Sequence, residues 1–458
     1  MASDLYDMDE TIAVSVVIPV YNTEKYLDQC LSSLRVQTLQ EAEFLCVDDG
    51  STDCSLEILQ RHSSEDSRIK ILAGTHQTAG AARNRAMEMA RGEYLMFLDS
   101  DDFFEANLLE LMYAKAKAED LDMAVCGVSV YEEATGRSVP APRQIPPELW
   151  GRMKGKVFCP RTAMPDKLFQ LIAGTPWNKI WRRRFIEKHG LRYQPIENSN
   201  DTYFTYASFL LADRVALVDA VLVHWRLRSH SLTRAYHKHP LCFLDALESL
   251  ADLLQRFPDE RLMSSFRFVS VELCVWRCAL TPPRVRPLVK DAITRRLEPK
   301  LALNAFVSDN LAHPSPSLQR DQRAFLISYS QIFLPERTYV LSLGLNRRQA
   351  WRTLRRLSKH LPSFTNAVVF VSDLPPGLET ALQAQESGQV CVLFIRRDDR
   401  EKLAEAMALL PDFVAHELII PGLFSTRRYV RDEGLSLPLD QLKPMSFVTQ
   451  LCMPYLLR

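Results

Sequence analysis

The sequence has no excess of charge of either sign. Lys+Arg and Asp+Glu each number 56 in 458 residues, so the formal net charge is zero. That balance removes any global pull toward nucleic acid or anionic lipid, and no nucleic-acid partner is expected. Basic runs such as WRRRF (181–185) and NRRQAWRTLRRL (346–357) are read as solvated helix faces. No apolar run approaches the roughly 18 residues a membrane helix needs. The stretch VALVDAVLVHW (215–225) is too short and carries Asp219. None of the ten cysteines forms a Cys-x-x-Cys pair, which argues against a structural zinc site. Cys274 and Cys278, four apart, are read as sharing one buried helix face. The opening MASDLYDMDET is acidic and has no apolar core, so no secretion signal is expected. Scattered free thiols then fit a reducing cytoplasm.

What is present is an ordinary globular composition, 47% apolar and 24% charged. At roughly 150 residues per domain the length predicts two or three domains. The first part alternates between two periods. Continuous apolar, β-branched runs at 14–20, 43–49, 68–73, 93–99 and 121–127 read as buried strands. Helical spacing fills 23–37, 51–63 (capped by Ser51 or Asp53), 78–92 (closed by Gly92) and 104–120. Alternation with short links predicts an α/β fold, a mostly parallel sheet covered by helices. The proline-rich and aperiodic stretch 132–165 is read as irregular. Ordered segments resume at 176–190, 199–212 and 214–227, and 238–330 is mostly helical in pattern with a break at 311–321. Strand-like runs at 337–344, 366–373, 389–397 and 416–422 alternate with helical segments such as 347–361 and 400–410. They predict a second, smaller α/β domain, without Gly-x-Gly-x-x-Gly or Gly-x4-Gly-Lys-Ser/Thr to give it a nucleotide. No internal repeat is evident.

In an open parallel sheet, ligands bind at the carboxyl ends of the strands. Three of those ends are unusual: Pro19-Val20-Tyr21-Asn22, Asp48-Asp49-Gly50-Ser51 and Asp99-Ser100-Asp101-Asp102. Clustered carboxylates repel one another, and a divalent cation removes that penalty. Mg²⁺ and Mn²⁺ prefer oxygen ligands and bind through one or two carboxylates plus substrate phosphates. The simpler alternative is that Asp99 to Asp102 cap the next helix. One Asp would serve for that, so the cation-site reading is preferred.

The segments VSVVIPVYNTEKYLDQCLSSLRVQT, VDDGSTD, GAARNRAMEMARGEYLMFLDSDD and PWNKIWRRRFIEKHGL resemble, in order and spacing, the GT-A family 2 glycosyltransferases of bacterial polysaccharide and lipopolysaccharide synthesis. The resemblance runs from about residue 13 to 235. It implies a GT-A, Rossmann-like catalytic domain over 1–235, with 236–330 a helical extension and 331–458 a small α/β domain of unassigned role. It implies a nucleotide-sugar donor, usually a UDP-sugar, inversion at the anomeric carbon, and Mn²⁺ or Mg²⁺. The acceptor it implies is a glycan or lipid-linked molecule; peripheral association with a membrane and homo-oligomer formation are left open. Carried over residue by residue, Pro19, Tyr21 and Asn22 line the base and ribose pocket. Asp49 contacts nucleobase or ribose with Asp48 in support. Arg83, with Asn84 beside it, reaches the nucleotide. Asp99 meets ribose or metal, Asp101 ligates the metal, and Ser100 lies between them on the donor side.

Single displacement also needs a base for the acceptor hydroxyl. The family carries Glu-Asp at the start of a helix after the PWNK segment, and here ENSNDTYFTY has Asn200-Asp201 instead. Asp201 is the expected base, against the alternative of a first-turn helix carboxylate. Asn200, on the acceptor side, is a departure that puts strength or specificity in question. Arg226 and Arg228 are expected to clamp the diphosphate as a mobile flap, assisted by Ser231. His224, where the family often has Tyr, is read as packing. Trp177 and Asn178 shape the sugar or acceptor side, although Trp177 fits simple core equally well. Two rivals are a degenerate relative that binds nucleotide or glycan without transfer, supported by Asn200, and a nucleotidyl transferase. PVYNTEKY lacks the Gly- and Lys/Arg-rich triphosphate loop that the latter requires.

Overall fold

The computed structural model describes residues 12–133, 135–141, 147–227, 238–312, 315, 318, 320–334, 339–345, 367–371 and 415–416. These fall into two compact units, the first reaching Ser270 and the second beginning at Val271.

The first unit opens with β1 (Val14–Val20), α1 (Glu24–Arg35), β2 (Ala42–Asp48), α2 (Ser55–Glu65), β3 (Ile69–Ala73), α3 (Ala79–Met89) and β4 (Tyr94–Phe97). It continues through β5 (Phe103–Phe104), α4 (Leu108–Ala118), β6 (Met123–Glu132), β7 (Arg137–Pro140), α5 (Pro147–Met153), α6 (Pro160–Ala163) and α7 (Leu168–Leu171). Then come β8 (Lys179–Arg182), α8 (Arg183–His189), α9 (Asn200–Leu211), β9 (Val215–Leu227), α10 (Cys242–Leu254) and α11 (Glu260–Leu280), which carries the division between the units. Nine strands form one sheet in the order β3-β2-β1-β4-β8-β6-β9-β5, with β7 paired to β6. β3, β2, β1 and β4 are mutually parallel, and β6 and β9 run the same way, while β8, β5 and β7 run against their neighbours. The expected mostly parallel α/β sheet is what the structure shows.

β1 is central because it is apolar on both faces. Six of its seven residues are buried, which is how β-branched runs behave when helices cover both sides of a sheet. α1 contributes Leu27, Cys30, Leu31 and Leu34 to the core, on the i, i+3, i+4, i+7 spacing of one helix face. Each buried leucine of that stripe contributes roughly 1.5–3 kcal/mol.

Three local expectations are corrected. Residues 132–165 are not wholly irregular: they hold β7, α5, α6 and a single 3₁₀ turn at Pro165–Lys167. β7 is an antiparallel edge strand too short for a clear period, and Pro147 and Pro160 open helices rather than break them. α2 begins at Ser55 with Cys54 in the capping position, and Asp53 instead accepts from the amides of Glu24 and Ser55, both at 3.0 Å. α3 ends at Met89, with Ala90 already extended, rather than at Gly92. Gly92 lies against β1, where its amide donates to Ser15 Oγ at 2.8 Å, and Ser15 Oγ in turn donates to Glu43 Oε1 at 2.6 Å. A Cβ on Gly92 would stand 2.4 Å from the Ser15 amide nitrogen.

The second unit continues with α12 (Arg286–Arg296), α13 (Glu298–Leu301), α14 (Leu303–Ala312) and α15 (Arg320–Phe333), so the described residues of 238–330 are mostly helical, as expected. Cys274 and Cys278 are both buried, as one helix face requires. β10 (Tyr339–Leu345) pairs in parallel with β11 (Ala367–Val371), and β12 (Ala415–His416) runs antiparallel to both. The strand expected at 389–397 and the helices expected at 347–361 and 400–410 lie outside the described residues.

Because the Gly92 contact is with backbone, it cannot relax by a rotamer change. Gly92→Ala is expected to lower unfolding stability by about 2–3 kcal/mol in denaturant titration. An unchanged midpoint would show that the close approach of 92 to β1 is not tight.

Candidate functional site

Register builds the site. Val20 of β1 stands opposite Asp48 of β2, and Val17 stands opposite Phe97 of β4. The chain therefore leaves all three strands at one edge, and the residues that follow them converge there. After β4, Leu98 still donates to Val17 O at 3.0 Å. The next four residues form a turn in which Asp102 N donates to Asp99 O at 3.3 Å. Carboxylate oxygens of Asp99, Asp101 and Asp102 lie within 4.8 Å of one another. Helix α4 begins only at Leu108, with Asn107 in the capping position, so none of the three acids caps it. Three hard oxygen donors at this spacing fit a divalent cation of the Mg²⁺ or Mn²⁺ kind. Ser100, within the turn, is buried.

The turn is braced from β9. Arg226 donates its backbone N–H to Asp102 Oδ1 at 2.8 Å, its Nε to Asp101 O at 2.9 Å and its Nη2 to Gln29 Oε1 at 2.6 Å. Its guanidinium lies 5.1, 5.4 and 5.0 Å from the rings of Tyr26, Phe103 and Tyr131. Arg226 is 5% exposed. The expectation of a mobile diphosphate clamp is therefore corrected for Arg226. A buried guanidinium with two hydrogen bonds and an aromatic surround, on a residue whose backbone N–H makes a third, is a fixed brace. Arg228 and Ser231 lie outside the described residues. His224 packs as expected, stacked on Phe103 at 4.6 Å between Ser129 Oγ (2.7 Å from Nδ1) and Glu105 Oε1 (2.9 Å from Nε2).

The ends of β1 and β2 are stitched together. Asn22 occupies left-handed backbone at φ 50°, which Asn tolerates. Its N–H donates to Ser51 Oγ at 3.2 Å and its Oδ1 accepts from Thr52 N at 2.8 Å. Pro19 pairs with Val47 inside the sheet. Asp48 Oδ1 accepts from Ser51 N at 3.3 Å. Asp49 is nearly buried: Oδ1 accepts from Gln77 N at 3.0 Å, and Oδ2 lies 3.0 Å from His76 Nδ1. The His76 ring stacks on Tyr21 at 4.0 Å, and Tyr21 is 42% exposed. Tyr21 and Asp49 thus frame a surface at the edge, whereas the amide oxygen of Asn22 is used internally. His76 is a member that sequence reading missed.

The fourth group links β4 to α9. Arg83, 5% exposed, donates Nη2 to Asp99 Oδ1 at 2.7 Å and Nη1 to Asn200 Oδ1 at 2.8 Å. Burial alone would lower its pKa, but the charge of Asp99, with smaller contributions from Tyr193 and Asp201, holds it above the ordinary arginine value. Asn84 does not reach the edge: its amide both donates to Tyr193 O and accepts from Tyr193 N, each at 2.8 Å. Its expected contact with a nucleotide is corrected to a backbone clamp. Asn200 is likewise corrected from the acceptor side to a buried partner of Arg83. Asp201 is half-buried in the first turn of α9, just after Ser199, whose φ of 59° is uncommon for a non-glycine residue.

Because β8 is antiparallel, its first residue rather than its last arrives at this edge. Lys179 is completely buried, donating Nζ to Thr175 O at 2.5 Å and to Asn178 Oδ1 at 2.6 Å. Burial lowers its pKa to about 7, opposed by the charges of Cys126 and Asp201. Asn178 also donates to Cys126 O at 2.9 Å and is itself fully buried. Its expected sugar-side role is corrected to seating Lys179. Trp177 is core, stacked near Trp225 at 6.3 Å, as the simpler alternative held. The signal for Lys179 was a lone lysine inside the apolar PWNKIW.

A lysine that is neutral when folded and charged when unfolded makes stability depend on pH. The unfolded chain holds the extra proton between about pH 7 and pH 10.5, so stability rises with pH across that window. The stability difference between the wild type and Lys179→Met is expected to shift in favour of the wild type by about 1 kcal/mol per pH unit there. A pH-independent difference in matched denaturant titrations would refute a neutral Lys179.

Comparison with known proteins follows the same outline. The profile described as "Glycosyl transferase family 2" matches residues 15–190. The putative glycosyltransferase EpsH of Bacillus subtilis is 34% identical over 233 residues, covering 50% of this chain and 65% of that protein. Glycosyltransferase GlyG of Streptococcus pneumoniae is 30% identical over 232 residues, 48% of this chain and 73% of that protein. The chain thus spans about two thirds of EpsH and 64% of a second B. subtilis relative, the uncharacterized glycosyltransferase EpsJ. Among solved structures, S. aureus TarS 1-349 in complex with UDP-GlcNAc superposes with a TM-score of 0.53 at 20% identity, covering 71% of this chain and 91% of that one. That likeness establishes the fold.

Proposed function

The chain belongs to glycosyl transferase family 2, and on that premise we propose that it moves a glycosyl group from a nucleotide-sugar of the UDP class to a hydroxyl of a glycan or lipid-linked acceptor, with inversion. The observation that carries this reading is the carboxylate cluster of Asp99, Asp101 and Asp102 at the edge where β1, β2 and β4 end. Residues 1–235 act as the catalytic part, followed by a helical extension to 330 and a smaller α/β domain. No described helix is long and apolar enough to cross a membrane.

Tyr21 offers its exposed ring to the nucleobase, and Asp49, held by Gln77 and His76, accepts from base or ribose. Mn²⁺ or Mg²⁺ held by Asp99 and Asp101 would neutralise charge on the diphosphate. Arg83 fixes the Asp99 carboxylate, and Arg226 fixes the turn that carries Asp101. Asp201 accepts the acceptor's hydroxyl proton as the new C–O bond forms and the anomeric carbon–diphosphate oxygen bond breaks. The braces are rigid, so these groups need little reorganisation during transfer.

Calorimetric titration of UDP is expected to show binding with Mn²⁺ that EDTA and Asp101→Ala both abolish. Asp201→Asn is expected to keep UDP affinity within about twofold while lowering kcat by about 10²–10⁴ with the preferred UDP-sugar. Failure of every nucleoside diphosphate to bind with Mn²⁺ present would overturn the donor-site reading. Binding without turnover of any nucleotide-sugar would favour a chain that holds nucleotide without transfer.

A further inference from the structure

We infer that Asn200 is a positioning residue that sets how strongly the acid cluster holds its cation, by leaving Arg83 with Asp99 as the one carboxylate its guanidinium hydrogen-bonds among the described residues. This rests on the cation site proposed above. Arg83 makes two side-chain hydrogen bonds from its guanidinium, to the charged Asp99 and to the neutral amide oxygen of Asn200. Arg83 and Asn200 are 5% and 7% exposed, so water does little to screen the guanidinium from a charge at residue 200, while the Asp99 side chain, 33% exposed, stays open to an incoming cation. The arginine cannot shed its proton, and a buried guanidinium must be balanced. An amide balances it with a dipole and a carboxylate with a full charge. Asp99 therefore carries most of the neutralisation of Arg83, and a divalent cation that approaches Asp99 must share that carboxylate with a guanidinium already bonded to it.

The packing fixes this geometry. Thr78 caps α3 by accepting from Ala81 N at 3.1 Å. Gly80, two residues later, is pressed against the segment that leads into α9. A Cβ there would stand 2.2 Å from Gln194 O and 3.0 Å from Asn200 Cβ. One turn further along α3, Arg83 reaches across to Asn200 and Asp99, and its guanidinium lies 5.2 Å from the Tyr193 ring. Asn84 clamps the same segment through the backbone of Tyr193. The guanidinium therefore has little room to move away when the charge at residue 200 changes. Asn200 Nδ2 reaches only Ile196 O, at 3.4 Å, so its amide oxygen makes the stronger contact.

Two substitutions change the charge balance at nearly constant shape. Asn200→Asp is isosteric and gives Arg83 a second carboxylate. Arg83→Met removes the competing cation altogether. Both are expected to tighten Mn²⁺ binding to the nucleotide-free full chain by about three- to tenfold, read from the free-Mn²⁺ electron paramagnetic resonance signal. Damage to the fold would move affinity the other way, so the direction separates this role from a merely structural one. Asn200→Ala, which removes the amide and adds no charge, is the control and is expected to stay within about twofold. If Asn200→Asp does not fold, Arg83→Met still reads the same pair. Tightening in a folded charge-changing variant supports the inference. Wild-type Mn²⁺ binding that stays unchanged or weakens in them overturns it, with the cation site intact. Absence of Mn²⁺ binding in wild type and variants alike overturns the cation site as well.

Discussion

Val14–Val20 is hydrogen-bonded along both edges, to Ala42–Asp48 on one side and, through Val14–Val17, to Tyr94–Phe97 on the other. The other features of the first unit depend on this double parallel pairing. Parallel neighbours end at the same edge, so three chain segments of unrelated sequence must turn within reach of one another. The pairing is held by burial on both faces, and a register slip of one residue would turn each strand over. It would also take Asp49 away from Tyr21 and the acid turn away from Arg83.

The edge so formed is rich in acid, and the protein stabilises it with buried cations rather than solvent. Arg226 lies beneath the Asp101–Asp102 backbone and Arg83 beside Asp99. Each is surrounded by rings or carbonyls that restrict it. Removing one member of such a buried set leaves an uncompensated charge, which is why it resists drift more than a surface pair does. A cation entering this edge therefore joins an arrangement of charges that is already partly balanced.

Much of this fold was legible because it depends on local period. VSVVIPV could only be a strand buried on both faces, and the ladder of Leu27, Cys30, Leu31 and Leu34 could only be a helix face. The acid turn was legible for the same reason, since three carboxylates after an apolar strand have few bland explanations. What was not legible depends on contacts distant in sequence. Arg226 meets Asp101 and Gln29 across 125 and 197 residues, and nothing in VHWRLRSHSLT tells a brace from a flap. Asn84 and Asn178 sit in motifs that look chemical, yet their amides are used by backbone carbonyls and a lysine that only the folded sheet brings near. The antiparallel entry of β8 was equally hidden, because a four-residue strand carries no direction in its composition.

Tyr21 is already covered on one face, because the imidazole of His76 lies 4.0 Å away at an angle of 18°. A flat ring that takes this face must first displace His76, and the Asp49–His76 contact is exchanged along with it. The affinity measured for such a ligand is then the difference between two stackings, the ligand's and the protein's own. Two ligands with equal intrinsic attraction for tyrosine would be separated by how well each replaces an imidazole, so the protein carries an internal competitor against which every ring is compared.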